Sequence, residues 1–198
     1  MEPRLFRAIN VAAWAHAGQM RKGTEIPYIS HPFAVMHLVS QQPGVDEDTV
    51  IAALLHDVLE DVPERYSQED MVRDFGSVVT SYVQMVSKDK SLPSWQERAD
   101  DYLIRLRSAP FSALVIIACD KFHNLGSIMA DYEKHGEALW DRFNSGKQSQ
   151  HWWYQTVYET LEERLREMPT AELPILEEYR KLVDEFEKTL SGGASRQD

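Results

Sequence analysis

Apolar residues recur at three- and four-residue intervals along almost the whole of this 198-residue chain, and nowhere alternate for long enough to build a sheet. That period puts them on one face of a helix, so the chain must bury helical stripes against one another. The cleanest stripe is Ile175, Leu176, Tyr179, Leu182, Val183, Phe186 and Leu190. Leu5, Ala8, Ile9, Ala12 and Ala13 give a first amphipathic helix that fades near Gly18. Pro32 suits the first turn of a second helix running to about Gln42, where Pro43 and Gly44 break it. Asp46 is the N-cap expected for a third, which carries Val50, Ile51, Leu54, Leu55 and Val58. Further helices are expected over 67–75, 77–87, 94–108, 111–132, 135–143, 149–167 and 174–190. Gly23 to Ser30 reads as a loop with a short extended piece at Tyr28 and Ile29. No repeat period is visible. The expected fold is all-α, one domain over residues 1–190, with a disordered tail at 191–198.

At 43% hydrophobic, the chain can bury a real core in one domain. No basic start precedes an apolar run, and no apolar stretch approaches the roughly 20 residues a membrane span needs, so a soluble, cytoplasmic protein is expected. Cys119 is the single cysteine; it excludes an internal disulfide, fits a reducing compartment and reads as a buried small hydrophobe. A net charge of −11 argues against broad nucleic-acid binding, which needs a basic face, and gives no support for a membrane-surface role. It leaves room for a phosphorylated small molecule at a local cation cluster such as Arg21 and Lys22, because distant charges are screened.

Three segments break the apolar logic: RKGTEIPYISHP at 21–32, LLHDVLED at 54–61 and CDKFHN at 119–124. His56 and Asp57 end a strongly apolar helix, where ionisable groups are rarely buried without a partner. Helical geometry puts His56 and Glu60 on one face, with Asp57 and Asp61 displaced by about 100°. Three carboxylates beside an imidazole repel one another unless a cation sits among them or water solvates them all. Asp120 interrupts the apolar run from Leu114 to Cys119 and so needs a strong partner. Asn124, one turn later, is suited to hold a phosphate, a base edge or a ligand carboxylate. Taken singly, Glu60 and Asp61 also fit a solvated helix end, and His31 a helix residue satisfied by backbone. His37, His123, His135 and His151 read as surface or packing residues, and Trp152, Trp153 and Tyr154 as packing between helices.

From AAWAHAGQMRKG through ISHP, AALLHDVLED and VSKDKSLP to CDKFHNLGSI, about residues 5–130, the chain resembles the hydrolase domain of Rel/Spo-type alarmone enzymes. These are a branch of the HD phosphohydrolase superfamily, and the likeness is strongest to its stand-alone small alarmone hydrolases. RKG, HP, HDxxED and DxxxN, in this order and spacing, carry it; RFNSGKQSQHWWY is similar less sharply. Within these 198 residues the synthetase domain of the long members is not expected. The resemblance implies a helical HD bundle with His31, His56, Asp57 and Asp120 as ligands of one divalent ion, usually manganese, with iron or zinc as alternatives. It implies Glu60 and Asp61 as the acidic pair that positions and activates water. Arg21 would pack on the purine, Lys22 lie near the phosphates, Asn124 and Ser127 contact sugar and base, and Lys90 fall near a phosphate-binding lysine. Lys121 stands where many relatives have Arg, and Gly126 where many are basic; both bear on nucleotide preference and neither touches the metal set.

The residue types agree with that chemistry. Imidazole and carboxylate ligands without thiolate suit manganese, iron or zinc, manganese above all. The expected activity is Mn²⁺-dependent hydrolysis of the 3′-pyrophosphate of ppGpp or pppGpp, giving GDP or GTP and lowering an alarmone signal. Alternatives keep the metal site but change the substrate, to an adenine alarmone, NADPH 2′-phosphate or a nucleoside monophosphate. A further alternative keeps the fold without catalysis, as a nucleotide-binding or antitoxin-like partner. A homo-oligomer is left open.

Overall fold

The computed structural model describes residues 2–168 and 170–191. Among these residues there are nine α-helices, one 3-10 segment and no strand. The helices are α1 (Arg4–Ala15), α2 (Ser30–Ser40), α3 (Glu47–Leu55), α4 (Val58–Asp61), α5 (Gln68–Val86), α6 (Trp95–Leu106), α7 (Phe111–His135), α8 (Gly146–Arg166) and α9 (Ile175–Ser191). The 3-10 segment, Gly136–Arg142, stands where a helix over 135–143 was expected. The expected tail beyond Ser191 lies outside the described residues.

Helix starts follow local chemistry. The Asp46 carboxylate accepts from the Thr49 amide at 2.8 Å and caps α3. Ser67 with Asp70, and Ser94 with Glu97, form reciprocal capping boxes at α5 and α6. The two helices expected either side of Gly76 form one run bent at that residue, whose φ of 88° suits glycine. The extended piece expected at Tyr28 and Ile29 is displaced: one antiparallel bridge joins Met20 to Pro27, and Tyr28 and Ile29 form the turn into α2.

α7 runs through the centre, packed against α2, α3, α5, α8 and α9. Residues 113–121 are all buried. Contrary to the expectation from sequence, the run Phe111–Arg142 is long and apolar enough to cross a membrane by composition. The fold itself accounts for that composition, since 67% of the apolar window is buried within the protein. α9 lays its Tyr179, Val183 and Phe186 stripe against the far side, and Phe186 stacks on Trp140. Cys119, His151, Trp153 and Tyr154 are buried packing residues, and His37 and His135 are exposed, as expected; Trp152 is exposed at its rim beside Trp95.

Candidate active site

The helix expected to carry HDxxED is interrupted at its chemistry. α3 stops at Leu55 and α4 restarts at Val58, leaving His56 and Asp57 in the break. His56 Nδ1 lies 2.8 Å from the Ala53 carbonyl, the acceptor that the Asp57 amide would use in a continuous helix. That contact fixes the imidazole proton on Nδ1 and leaves the Nε2 lone pair free.

His56 Nε2 is buried and has no hydrogen-bond partner, although Asp57 Oδ2 is 3.0 Å away and Asp120 Oδ1 3.7 Å. His31 Nε2, from the first turn of α2, lies 3.5 Å from Asp57 Oδ2 and 3.1 Å from Asp120 Oδ1. Ligand atoms of His31, His56 and Asp57 all fall within 4.8 Å of one another. Adjacent donors around an ion bonded at 2.0–2.2 Å sit about 3 Å apart, so these spacings fit one ion with two imidazole and two carboxylate ligands.

Electrostatics points the same way. Burial favours neutral His56, yet Asp57 and Asp120 overcome it and raise its pKa well above the usual histidine value. Burial would raise both carboxyls, but His56 holds Asp57, and Lys121 with the imidazoles holds Asp120, well below the ordinary range. At His31 burial prevails and lowers the pKa. The carboxylates therefore demand positive charge between the imidazoles, and a divalent cation meets that demand as a proton does.

A second set of contacts braces this centre. Tyr28 OH donates to Asp57 Oδ2 at 2.6 Å. Lys121, buried between the rings of Tyr102 and Trp153, pairs with Asp120 Oδ2 at 2.5 Å. Asn124 Nδ2 donates to Asp120 Oδ1 at 2.6 Å, and its Oδ1 accepts from both Arg21 terminal nitrogens at 3.3 Å. His31 Nδ1 lies 2.9 Å from His123 Nδ1. His123, expected as surface or packing, is thus drawn into the site because α7 carries it beside Asp120.

The two acids differ. Glu60 accepts the Lys88 amide on Oε2 at 2.7 Å, and burial raises its carboxyl pKa. Asp61 is held on both oxygens, by Lys90 Nζ at 2.8 Å and Gln19 Nε2 at 3.3 Å. Gln19 Oε1 in turn lies 2.7 Å from Nδ1 of buried His16. Lys90, expected near phosphate, is placed on Asp61.

Beside the His–Asp cluster lies a cleft of about 460 Å³ whose lining includes Arg21, Lys22, Tyr28, His123, Asn124 and Ser127. Arg21 and Lys22 sit on the loop closed by the Met20–Pro27 bridge, where Gly23 turns the chain with φ +75°. The structure thus gathers His31, His56, Asp57 and Asp120 at one point, with Tyr28, which bonds Asp57, and His123, which touches His31, leading into the cleft.

Residues 8–145 match the HD domain family. The chain belongs to that family. Among the relatives of this HD-domain chain, a GTP pyrophosphokinase of Streptomyces coelicolor is 40% identical over 123 residues, covering 60% of this chain and 14% of the relative. The mouse guanosine-3′,5′-bis(diphosphate) 3′-pyrophosphohydrolase MESH1 is 35% identical over 124 residues, covering 62% of this chain and 68% of MESH1. A solved structure described as a metazoan ortholog of SpoT that hydrolyzes ppGpp superposes with TM-score 0.73 at 26% identity, over 96% of this chain and 97% of that one. The chain therefore spans a small part of the long bacterial relative and most of the short animal ones.

His16, Gln19, Tyr28 and His123 were not singled out for the site from sequence. His16 carried a readable signal, since it follows the buried Ala8, Ala12 and Ala15 stripe of α1 as Asp120 follows its own apolar run. For Gln19 and Tyr28 no local pattern gives the contact, because it depends on how α1 and the loop meet α4.

Proposed function

We propose that this chain is a divalent-metal-dependent hydrolase of (p)ppGpp that releases the 3′-pyrophosphate, leaves GDP or GTP, and works in the cytoplasm to lower an alarmone signal. The observation that carries the reading is the set of two imidazoles and two carboxylates with contacts of 3.0–3.7 Å, joined through Tyr28, His123 and Asn124 to a cation-lined cleft of nucleotide size. The names of MESH1 and of the solved SpoT ortholog support the same substrate.

His31, His56, Asp57 and Asp120 would hold one ion, manganese by ligand preference. Such an ion, when bound, supplies Lewis-acid charge to a phosphate oxygen and lowers the pKa of water. Glu60 is the proton acceptor, since one of its oxygens has no partner among the described residues and burial keeps it basic. Asp61, fixed by Lys90 and Gln19, positions the attacking water. Arg21 packs on the base, Asn124 and Ser127 hold sugar and base edge, and Lys22 offsets phosphate charge. Hydrolysis of such phosphates asks more than about 8 kcal/mol of an enzyme, more than one polar contact supplies, so these groups act together.

The test is a substrate panel with added Mn²⁺, scored for pyrophosphate against orthophosphate. Equal amounts of GDP and pyrophosphate from ppGpp are expected, with activity lost on chelation and restored by Mn²⁺. Orthophosphate as the main product from every substrate would overturn the assignment.

A further inference from the structure

Glu60 makes one hydrogen bond among the described residues, and a cation holds the far side of the group that donates it. The Lys88 amide donates to Glu60 Oε2 at 2.7 Å, while the carbonyl of the same peptide, that of Ser87, accepts from Arg105 Nη2 at 2.9 Å. One peptide plane therefore lies between a guanidinium and a buried carboxylate, with its oxygen toward the cation and its N–H toward the anion.

Local structure builds this arrangement. α5 ends at Val86, and Ser87 leaves the helix extended, with φ −81° and ψ 142°, its hydroxyl donating back to the Val83 carbonyl at 2.7 Å. A helix end leaves its last carbonyls without partners. Arg105, in the last turn of α6, collects them: Nη1 donates to the Gln84 carbonyl at 3.2 Å and to Met85 at 2.9 Å, and Nη2 takes Ser87. Asp101, one turn back on α6, accepts from Arg105 Nε at 3.0 Å and lies 2.9 Å from Nη2, which steadies the fork. A guanidinium spans three acceptors in fixed directions; an ammonium on a flexible stem does so poorly.

Arg105 lines neither the cleft nor the metal cluster, so substrate binding does not account for it. Its reach is through the peptide. A carbonyl bound to a cation makes the N–H of the same peptide a stronger donor, and a strong donor on Oε2 fixes the carboxylate. Glu60 needs that hold, because it is buried and Asp57 and Asp61 repel it, with Lys121 of α7 as relief. With Oε2 tied down, the direction of Oε1 is set.

We infer that Arg105 is a positioning residue for the hydrolysis: through the Ser87–Lys88 peptide it holds the Glu60 carboxylate in the orientation that proton abstraction needs. The inference rests on the proposed role of Glu60 and adds to it a residue on a helix that contributes nothing else to the site.

A double-mutant cycle tests it. Arg105→Met should lower kcat by about tenfold, the size of a charge-assisted hydrogen bond, with KM and bound metal unmoved. In the Glu60→Gln background the same change should cost less than about twofold, because the group it acts on is gone. An arginine that only caps α5 would give the same fold loss of kcat in both backgrounds; that result, or undiminished kcat in Arg105→Met, overturns the inference. Arg105→Lys keeps charge and stem, and so the fold, and should lie between wild type and Arg105→Met in kcat at equal KM. If the wild type leaves ppGpp intact, the proposed function fails, and hydrogen exchange at the Lys88 amide, read by NMR, decides the linkage separately. Exchange should be about tenfold faster in Arg105→Lys than in wild type, with the amides of α7 unchanged. Equal exchange at Lys88 in the two proteins rejects the hold of Arg105 on that peptide.

Discussion

The two ends of the cleft are built in opposite ways. At the metal end the four side chains are buried or, for Asp57, nearly so, and each is held by a neighbour: His56 by the Ala53 backbone carbonyl, His31 by His123, Asp57 by Tyr28, Asp120 by Lys121 and Asn124. At the cation-lined end Lys22 and Lys134 are exposed, Arg142 is half-buried, and the pairs that Lys134 and Arg142 make with Asp131 are long. A site that must keep charges of one sign within bonding distance of an ion needs rigid support, because misplacing one ligand loses the ion. A site that recognises the outer part of a substrate can rearrange on binding. Substitutions at the first end should therefore change turnover and metal content, and those at the second should change KM.

The sharpest break comes from Asp57→Ala, which removes one ligand and leaves two imidazoles facing Asp120. Turnover should fall by about a thousandfold or more and bound metal should be lost, read by elemental analysis of the purified protein. Full activity in metal-depleted buffer would refute the role of the cluster. Glu60→Gln should keep the metal and lower kcat by about a hundredfold or more. Because burial raises the Glu60 carboxyl above the ordinary value and only the carboxylate accepts a proton, activity should fall as pH drops through that raised value. That acid limb should vanish from the pH–rate profile of the Gln variant.

Lys121→Met probes support instead of chemistry. It leaves the buried Asp120 carboxylate without its ammonium partner, which costs about 3 kcal/mol in denaturant unfolding. Added divalent metal should recover part of that loss, and an unchanged unfolding midpoint would show that Asp120 does not depend on Lys121. The smallest effect is expected from Gln19→Leu, which cuts the link from His16 to Asp61. A several-fold drop in kcat with KM and metal content unmoved would mark Gln19 as a positioning residue, about the size of one neutral hydrogen bond. A change in KM alone would contradict it.

The same contrast governs what could be read from the chain. The period of the apolar residues was enough for an all-helical fold, and the carboxylate at the end of the Leu114–Cys119 run pointed to a buried partner for Asp120, which is Lys121 together with the imidazoles. Breaks were harder. The interruption at His56 and Asp57 arises because a side chain competes with the backbone for the Ala53 carbonyl, and spacing statistics do not contain that competition. The length and composition of α7 also misled, since a central helix surrounded by others needs no polar face over most of its length. His123 was read as a surface or packing residue because its partner, His31, lies on a different helix. Arg105 belongs to the last turn of α6, outside any strong motif, and its meaning depends on the end of α5 packing against it.

The most direct measurement is a crystal of the protein grown with Mn²⁺ and examined by anomalous diffraction at the manganese edge. One peak bonded to His31 Nε2, His56 Nε2 and a carboxylate oxygen each of Asp57 and Asp120 is the expected result. Asp120 turned away from the imidazoles, with no peak between them in protein that still cleaves ppGpp, would contradict it.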